Sequence, residues 1–75
     1  MDWEQLRFFL ELARAGRLVI AARRMGVDHT TVSRKVQALE KDLGRPLFLR
    51  EPEGYKLTEA GRALLPQVEA MESAF

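Results

Sequence analysis

The sequence predicts a small, mostly α-helical domain with three helices, a two-stranded hairpin and a final helix. Apolar residues recur at helical spacing in the helical segments, and glycine stands where each of the first three should end. Two short β-prone segments flank the turn-forming stretch 51–54. Because 47% of the 75 residues are hydrophobic, we expect a globular chain, although its size is near the lower limit for an independent core.

The first helix is predicted to begin after Asp2, a good N-cap residue, and to end at Gly16, a candidate left-handed C-cap. Its buried stripe follows at helical spacing and consists of Trp3, Leu6, Phe9, Leu10 and Ala13. Phe8 falls outside this line. We therefore predict that Phe8 contacts the terminal helix of a partner copy.

The second and third helices are predicted over about 18–25 and 29–43, with a tight turn between them. Gly26 suits this turn because glycine adopts a positive φ at little cost, and Asp28 is a good N-cap for the third helix. The second helix is expected to bury Ile20, Ala21, Ala22 and Met25. The third helix has an amphipathic stripe formed by Val32, Val36, Leu39 and Leu43.

The β-prone segments Leu47–Arg50 and Tyr55–Thr58 are predicted to form a hairpin, the wing, over 47–57. Thr58 can cap a last helix, which Pro66 should kink unless the helix becomes regular only beyond it. These elements have the winged helix-turn-helix layout. We predict that this domain covers 1–57 and that 58–75 is a linker and dimerisation helix, truncated because no glycine or further proline ends it.

Charged residues are distributed unevenly, although the net charge is only +1. From Arg14 to Lys35 there are six basic residues and one acid, whereas from Glu51 to Phe75 there are two basic residues and five acids. A basic half suggests a face for an anionic polymer. Ordinary surface charge is the alternative interpretation.

The outward face of the third helix carries hydroxyl, imidazole and cationic groups. Such groups suit a helix that enters the major groove of double-stranded DNA and meets base edges and phosphates. We predict base contacts from His29, Thr30, Ser33 and Arg34, phosphate contacts from Thr31, Lys35 and Lys56, and a minor-groove contact from Arg50 on the wing. The alternatives are a solvated polar face for the helix and a salt bridge to Glu51 or Glu53 for Arg50.

The last helix extends from a small body that cannot cover its apolar stripe along the whole length. A partner helix is the simplest cover, and two-fold symmetry would place two third helices in successive major grooves. The predicted homodimer interface consists of Phe8, Leu64, Val68, Met71 and Phe75.

Other function classes have little support in the sequence. The chain has no cysteine, and its single histidine lacks the partners of a catalytic or metal-binding site, so we expect neither an enzyme nor a cofactor in this domain. No signal peptide or membrane-spanning segment is visible, so we expect a cytoplasmic, nucleoid-associated protein with no membrane partner. A winged-helix module that binds another protein through the acidic half is the alternative to DNA binding.

The chain resembles the N-terminal domain of LysR-type bacterial transcriptional regulators. The matching segments are Leu6-Arg7-Phe8-Phe9, Ala21-Ala22-Arg23-Arg24-Met25, Val32-Ser33-Arg34-Lys35-Val36, Leu39-Glu40-Lys41-Asp42-Leu43-Gly44, Pro46-Leu47-Phe48 and Leu57-Thr58-Glu59-Ala60-Gly61. The resemblance implies a homodimer on an interrupted palindrome, and possibly a tetramer at full length. It also implies that a small-molecule effector binds only to a further, C-terminal domain.

The chain departs from the pattern of that family in three places. Arg17 stands where similar proteins usually begin the second helix with serine. The segment Asp28–Thr31 replaces a frequent serine-glutamine-proline-alanine. Acidic Glu51 and Glu53 occupy a wing tip that is commonly basic. We expect these differences to alter a helix cap, the base preference and the minor-groove contact, respectively.

Overall fold

The computed structural model describes residues 1–74. Within them, four helices and one two-stranded antiparallel sheet occur in the predicted order. Their bounds are α1 (Trp3–Ala15), α2 (Leu18–Met25), α3 (His29–Leu43), β1 (Phe48–Glu51), β2 (Gly54–Leu57) and α4 (Glu59–Ser73). Each strand is offset by one residue from its predicted segment. In this part of the chain, we find no helix with the length and apolar character needed to cross a bilayer.

The start of α1 is fixed by the capping box that forms around Asp2. The Asp2 carboxylate accepts a hydrogen bond from the Gln5 backbone N–H at 2.9 Å, and the Gln5 side chain accepts one from the Asp2 N–H at 3.2 Å. By contrast, Arg17 precedes α2 without forming a side-chain cap. The missing side-chain cap agrees with the altered cap that we expected from Arg17, which stands where similar proteins usually have serine.

The core lies where α1, α2 and α3 meet and extends beneath the wing and α4. Its fully buried large side chains are Phe9, Leu10, Leu12, Val32, Leu39, Leu47 and Val68. In α2, Ala21 and Ala22 are the buried residues, and their small side chains allow close approach of neighbouring helices. Ile20 is 37% exposed, so the prediction that it is buried is wrong. The short α2 turns its alanine face, rather than Ile20, towards the core.

Phe8 is a core residue, with only 7% of its surface exposed. The expectation that it lies off the buried face of α1 and meets a partner copy is therefore wrong. The physical reason is that α1 contacts α2, α3, α4 and β2, so it is covered on more than one side. A helix covered in this way buries residues outside a single apolar stripe.

The wing is attached to α3 through Glu40. The Glu40 carboxylate accepts hydrogen bonds from the backbone N–H groups of Leu47 at 2.7 Å and Phe48 at 3.3 Å. The Phe48 ring also lies against Phe9 of α1, with 5.4 Å between ring centroids. In the wing itself, Phe48 pairs with Leu57 and Glu51 pairs with Gly54.

A second attachment joins the wing to the turn between α1 and α2. The Tyr55 N–H donates to the Gly16 carbonyl at 2.7 Å. This bond brings the backbone of Gly54 so close that a Cβ there would collide with the Gly16 oxygen. Gly54 also has a φ of 141°, which side-chain-bearing residues rarely adopt.

Helix α4 begins against the wing. The Thr58 hydroxyl accepts a hydrogen bond from the Gly61 N–H at 3.1 Å and donates one to the Pro46 carbonyl at 2.7 Å. Gly61 is buried so closely against Leu47 that a Cβ would collide with the Leu47 oxygen. The helix includes Pro66 and is continuous from Glu59, so the alternative in which it becomes regular only beyond Pro66 is wrong.

The last turn of α4 is held to the end of α1 by Arg14 and Glu72. The Arg14 guanidinium donates to both oxygens of the Glu72 carboxylate, at 2.8 and 3.1 Å. These hydrogen bonds lower the pKa of Glu72 and raise the pKa of Arg14. The pair is exposed, so it contributes little to stability, and it joins the last turn of α4 to the end of α1.

Candidate nucleic-acid interface

Helices α2 and α3 form a helix-turn-helix whose turn is fixed by local hydrogen bonds. Gly26 ends α2 with a φ of 69°, and the Val27 N–H donates to the Ala22 carbonyl at 3.0 Å. Asp28 caps α3 as predicted, accepting from the Thr30 N–H at 3.3 Å. The buried stripe of α3 consists of Val32, Val36 and Leu39. This arrangement leaves the opposite side of the first turns of α3 in solvent.

The four residues predicted to contact bases lie together at the beginning of α3. His29, Thr30 and Arg34 are exposed, and Ser33 is half-buried. Within residues 1–74, the guanidinium of Arg34 and the hydroxyl of Thr30 have no hydrogen-bond or ion-pair partner. The His29 Nε2 lies 3.9 Å from the Asp28 carboxylate. The first turns of α3 therefore present unengaged donors and acceptors to an approaching molecule.

The two residues predicted to contact phosphate on α3, Thr31 and Lys35, lie four positions apart and so share one face of the helix. Lys35 donates a hydrogen bond from its Nζ to the Glu4 carboxylate, and this bond raises the pKa of Lys35. Thr31 is half-buried beside it. Sequence reasoning did not foresee the pairing with Glu4, because the contact joins residues that lie 31 positions apart.

Arg50 and Lys56 of the wing are both exposed. The guanidinium carbon of Arg50 lies over the Tyr55 ring, 5.8 Å from its centroid. Within residues 1–74, Arg50 forms no salt bridge, so the alternative pairing with Glu51 or Glu53 does not occur. Glu51 instead lies 3.9 Å from the Nζ of Lys56. The Glu51 carboxylate therefore lies close to the ammonium group of Lys56, whereas Arg50 has no carboxylate partner within residues 1–74.

Two polar residues of α3 were not predicted to belong to the site. Gln37 is exposed and donates a hydrogen bond from Nε2 to the Ser33 Oγ at 3.2 Å. Glu40 fixes the wing, as described above. Gln37, Glu40 and Ser33 line one wall of a groove of about 170 Å³ between α3 and the wing. The opposite wall of this groove includes Arg50 and Tyr55. The spacing of four residues from Ser33 to Gln37 could have predicted this contact, because residues four positions apart are neighbours on one face of a helix.

The residues predicted to form a dimer interface do not share one exposed surface. Val68 is fully buried within its own chain, so the expectation that a partner must cover it is wrong. Leu64 is half-buried and Met71 is 41% exposed. Phe75 lies outside the described residues. Because α4 lies against α1, part of its apolar stripe is covered without a second copy.

A family model of bacterial regulatory helix-turn-helix proteins, lysR family, matches residues 3–62. The chain belongs to the LysR family. Similar proteins include the transcriptional regulator ClcR of Pseudomonas putida, 43% identical over 65 residues, and the transcriptional activator IlvY of Salmonella typhimurium, 47% identical over 64 residues. These alignments cover 87% and 85% of this LysR-family chain. The chain spans about a fifth of the length of these curated relatives, 22% in each case.

Solved structures of DNA-binding domains in complex with DNA have the same fold as this chain. A crystal structure of the CbnR DNA-binding domain with DNA has a TM-score of 0.93 at 38% identity, covering 99% of this chain and 85% of that one. A complex of the BenM DNA-binding domain with benA site 1 DNA also has a TM-score of 0.93, at 26% identity, covering 99% and 86%. The predicted winged helix-turn-helix fold and its identification as a LysR-type DNA-binding domain are confirmed. The curated relatives are regulators of transcription rather than enzymes.

Proposed function

We propose that this LysR-family domain recognises a specific sequence of double-stranded DNA by placing α3 in the major groove. His29, Thr30, Ser33 and Arg34 would contact base edges. The observation that carries this proposal is the exposed start of α3, where Arg34 and the Thr30 hydroxyl have no partner within residues 1–74. Side chains without a partner in the protein can form hydrogen bonds with a bound ligand. Base edges in the major groove offer such partners, because each base pair presents a distinct pattern of donors and acceptors.

Phosphate and minor-groove contacts would orient the domain on the duplex. We assign Thr31, Lys35 and Lys56 to phosphates and Arg50 to the minor groove, where the stacked Tyr55 ring holds the guanidinium at the edge of the wing. For Lys35, binding requires exchange of the Glu4 carboxylate for a phosphate. Because these contacts are electrostatic, affinity should fall steeply with added salt.

We further propose that the regulator binds an interrupted palindrome as a homodimer, with Leu64 and Met71 of α4 at the contact between copies. Their partly exposed apolar side chains support this assignment. Tetramers and an effector-binding domain belong to a longer protein, of which this chain would be about a fifth by comparison with its relatives. The cytoplasm, with its nucleoid, would be its compartment.

The proposal is tested by selecting bound sequences from a random duplex pool and measuring their affinity by fluorescence anisotropy. Arg34→Ala should weaken binding to the selected duplex by ~1–3 kcal/mol and relax the preference at one base pair. Arg7→Ala is the matched control, because Arg7 is an exposed arginine on α1, outside the helix-turn-helix. An equal loss for all duplexes would assign Arg34 to phosphate. Failure of the unmodified chain to bind any duplex at low salt would favour the protein-interaction module.

A further inference from the structure

Ser33 and Gln37 form a hydrogen-bonded pair on α3, about one helical turn apart. The Gln37 Nε2 donates to the Ser33 Oγ at 3.2 Å. Both side chains line the groove between α3 and the wing, and Gln37 is the more exposed of the two. Within residues 1–74, neither side chain has another hydrogen-bond partner. Among the described residues, Gln37 is therefore the hydrogen-bond partner of the Ser33 hydroxyl.

We propose that Gln37, by donating to Ser33, keeps the Ser33 hydroxyl hydrogen free for DNA and thereby allows Ser33 to donate a hydrogen bond to a base edge. A serine hydroxyl has one hydrogen to donate and two lone pairs with which to accept. Because the Gln37 amide donates to one lone pair, the hydroxyl hydrogen remains available for a group outside the protein. This inference rests on the proposed function, which places this side of α3 against base edges.

Ser33 can then donate its hydrogen to DNA, and its second lone pair can still accept. In the major groove, guanine, adenine and thymine each present an acceptor, whereas cytosine presents only the donor of its amino group. The free hydrogen therefore allows Ser33 to bind guanine or thymine, which a Ser33 that could only accept would not bind. One hydrogen bond of this kind corresponds to a difference of about three- to tenfold in affinity. In this arrangement Gln37 is a positioning residue, since it acts through Ser33.

Gln37→Glu tests the proposal because a carboxylate can accept a hydrogen bond but cannot donate one. Ser33 would have to donate to that carboxylate, and only its lone pairs would face the DNA. We expect the affinity for cytosine at the Ser33 position to rise about three- to tenfold relative to guanine or thymine. The added negative charge weakens binding to all duplexes, so the measurement is the ratio of affinities for duplexes that differ at this one base pair.

Ser33→Ala first identifies that position, as the base pair whose relative affinities change when the hydroxyl is removed. Gln37→Glu in the Ser33→Ala background completes a double-mutant cycle, and there the affinity ratio should not change. Gln37→Met is the uncharged control, because it removes the amide but leaves the Ser33 hydrogen free, and its affinity ratio should stay within about threefold of that of the unmodified chain. Circular dichroism would establish that each variant remains folded.

Three results would overturn this inference while leaving DNA binding intact. One is an unchanged ratio in Gln37→Glu, and another is an equal shift of the ratio in Gln37→Met, where the Ser33 hydrogen stays free. The third is a shift in ratio that persists in the Ser33→Ala background, since Gln37 would then contact the base itself. Failure of the unmodified chain to select any sequence would instead refute the proposed function, and this inference with it.

Discussion

Replacing Glu40 with alanine should loosen the wing from α3. The substitution removes both hydrogen bonds that the carboxylate accepts from the Leu47 and Phe48 N–H groups, at 2.7 and 3.3 Å. A hydrogen bond to a charged group contributes about 1.5–3 kcal/mol, and the longer bond should be the weaker one. We therefore expect a loss of about 2–4 kcal/mol, from a total stability of roughly 4–11 kcal/mol for a domain of this length.

The change is measured by thermal unfolding followed by circular dichroism, with a decrease in Tm of roughly 10–30 °C expected for Glu40→Ala. Glu40→Gln keeps an acceptor oxygen and should cost only about 1 kcal/mol. Asp42→Asn is the matched control, because within residues 1–74 the exposed Asp42 carboxylate has the N-terminal amine, at 3.3 Å, as its only ion-pair partner. The control should lose at most about 8 °C, because an exposed pair contributes up to about 1 kcal/mol and each kcal/mol corresponds to about 4–8 °C. If the Tm of Glu40→Ala falls by no more than that of the control, the reasoning is refuted.

Three further predictions concern α4. Gly61→Ala should destabilise the chain by about 1–3 kcal/mol, since the added Cβ collides with the backbone at the base of the wing. A Tm equal to that of the unmodified chain would contradict this prediction. Met71→Asp should convert dimers to monomers in sedimentation without lowering the unfolding temperature of the monomer, whereas Val68→Asp should unfold the chain because Val68 is fully buried. The lowered pKa of Glu72 means that its pairing with Arg14 stabilises the fold above the ordinary glutamate pKa of about 4.3 and is lost as pH falls through the lower, folded value. Carboxyl NMR titration should show this lowered pKa, and Arg14→Gln should return it towards the ordinary value.

Helix ends could be predicted from the sequence because they depend on chemistry within a few residues. Asp2, Asp28 and Thr58 each accept a backbone hydrogen bond from a residue two or three positions later. A glycine with positive φ then ends α1, α2 and α3. Such signals require no knowledge of what the helix packs against.

Burial was harder to predict, since it depends on contacts between distant parts of the chain. The residue spacing identifies which side chains share a helix face, but it does not show how many neighbours cover that helix. Phe8 and Val68 are therefore core residues although a partner copy was expected to cover them, and Ile20 is exposed although it was expected inside. The Lys35–Glu4 pair could not be predicted for the same reason, because it joins α3 to the start of α1, which is distant in sequence.

The positions of the candidate DNA-contacting residues on α3 followed from the sequence, but their hydrogen-bonding states did not. The capping residue and the apolar stripe together determine which side chains of α3 face outward. Whether Ser33 donates or accepts depends on the side-chain conformation of Gln37, which the residue spacing alone does not specify.

The contact between Gly54 and Gly16 limits how the wing can diversify. A side chain at position 54 would separate the wing from the turn before α2, whereas the neighbouring exposed positions, Pro52 and Glu53, are unconstrained by that contact. A mutational library should therefore retain only glycine at 54 while tolerating many residues at 52 and 53. The tip could then acquire lysine or arginine, and so a stronger attraction for the DNA backbone, in single steps that leave the scaffold intact.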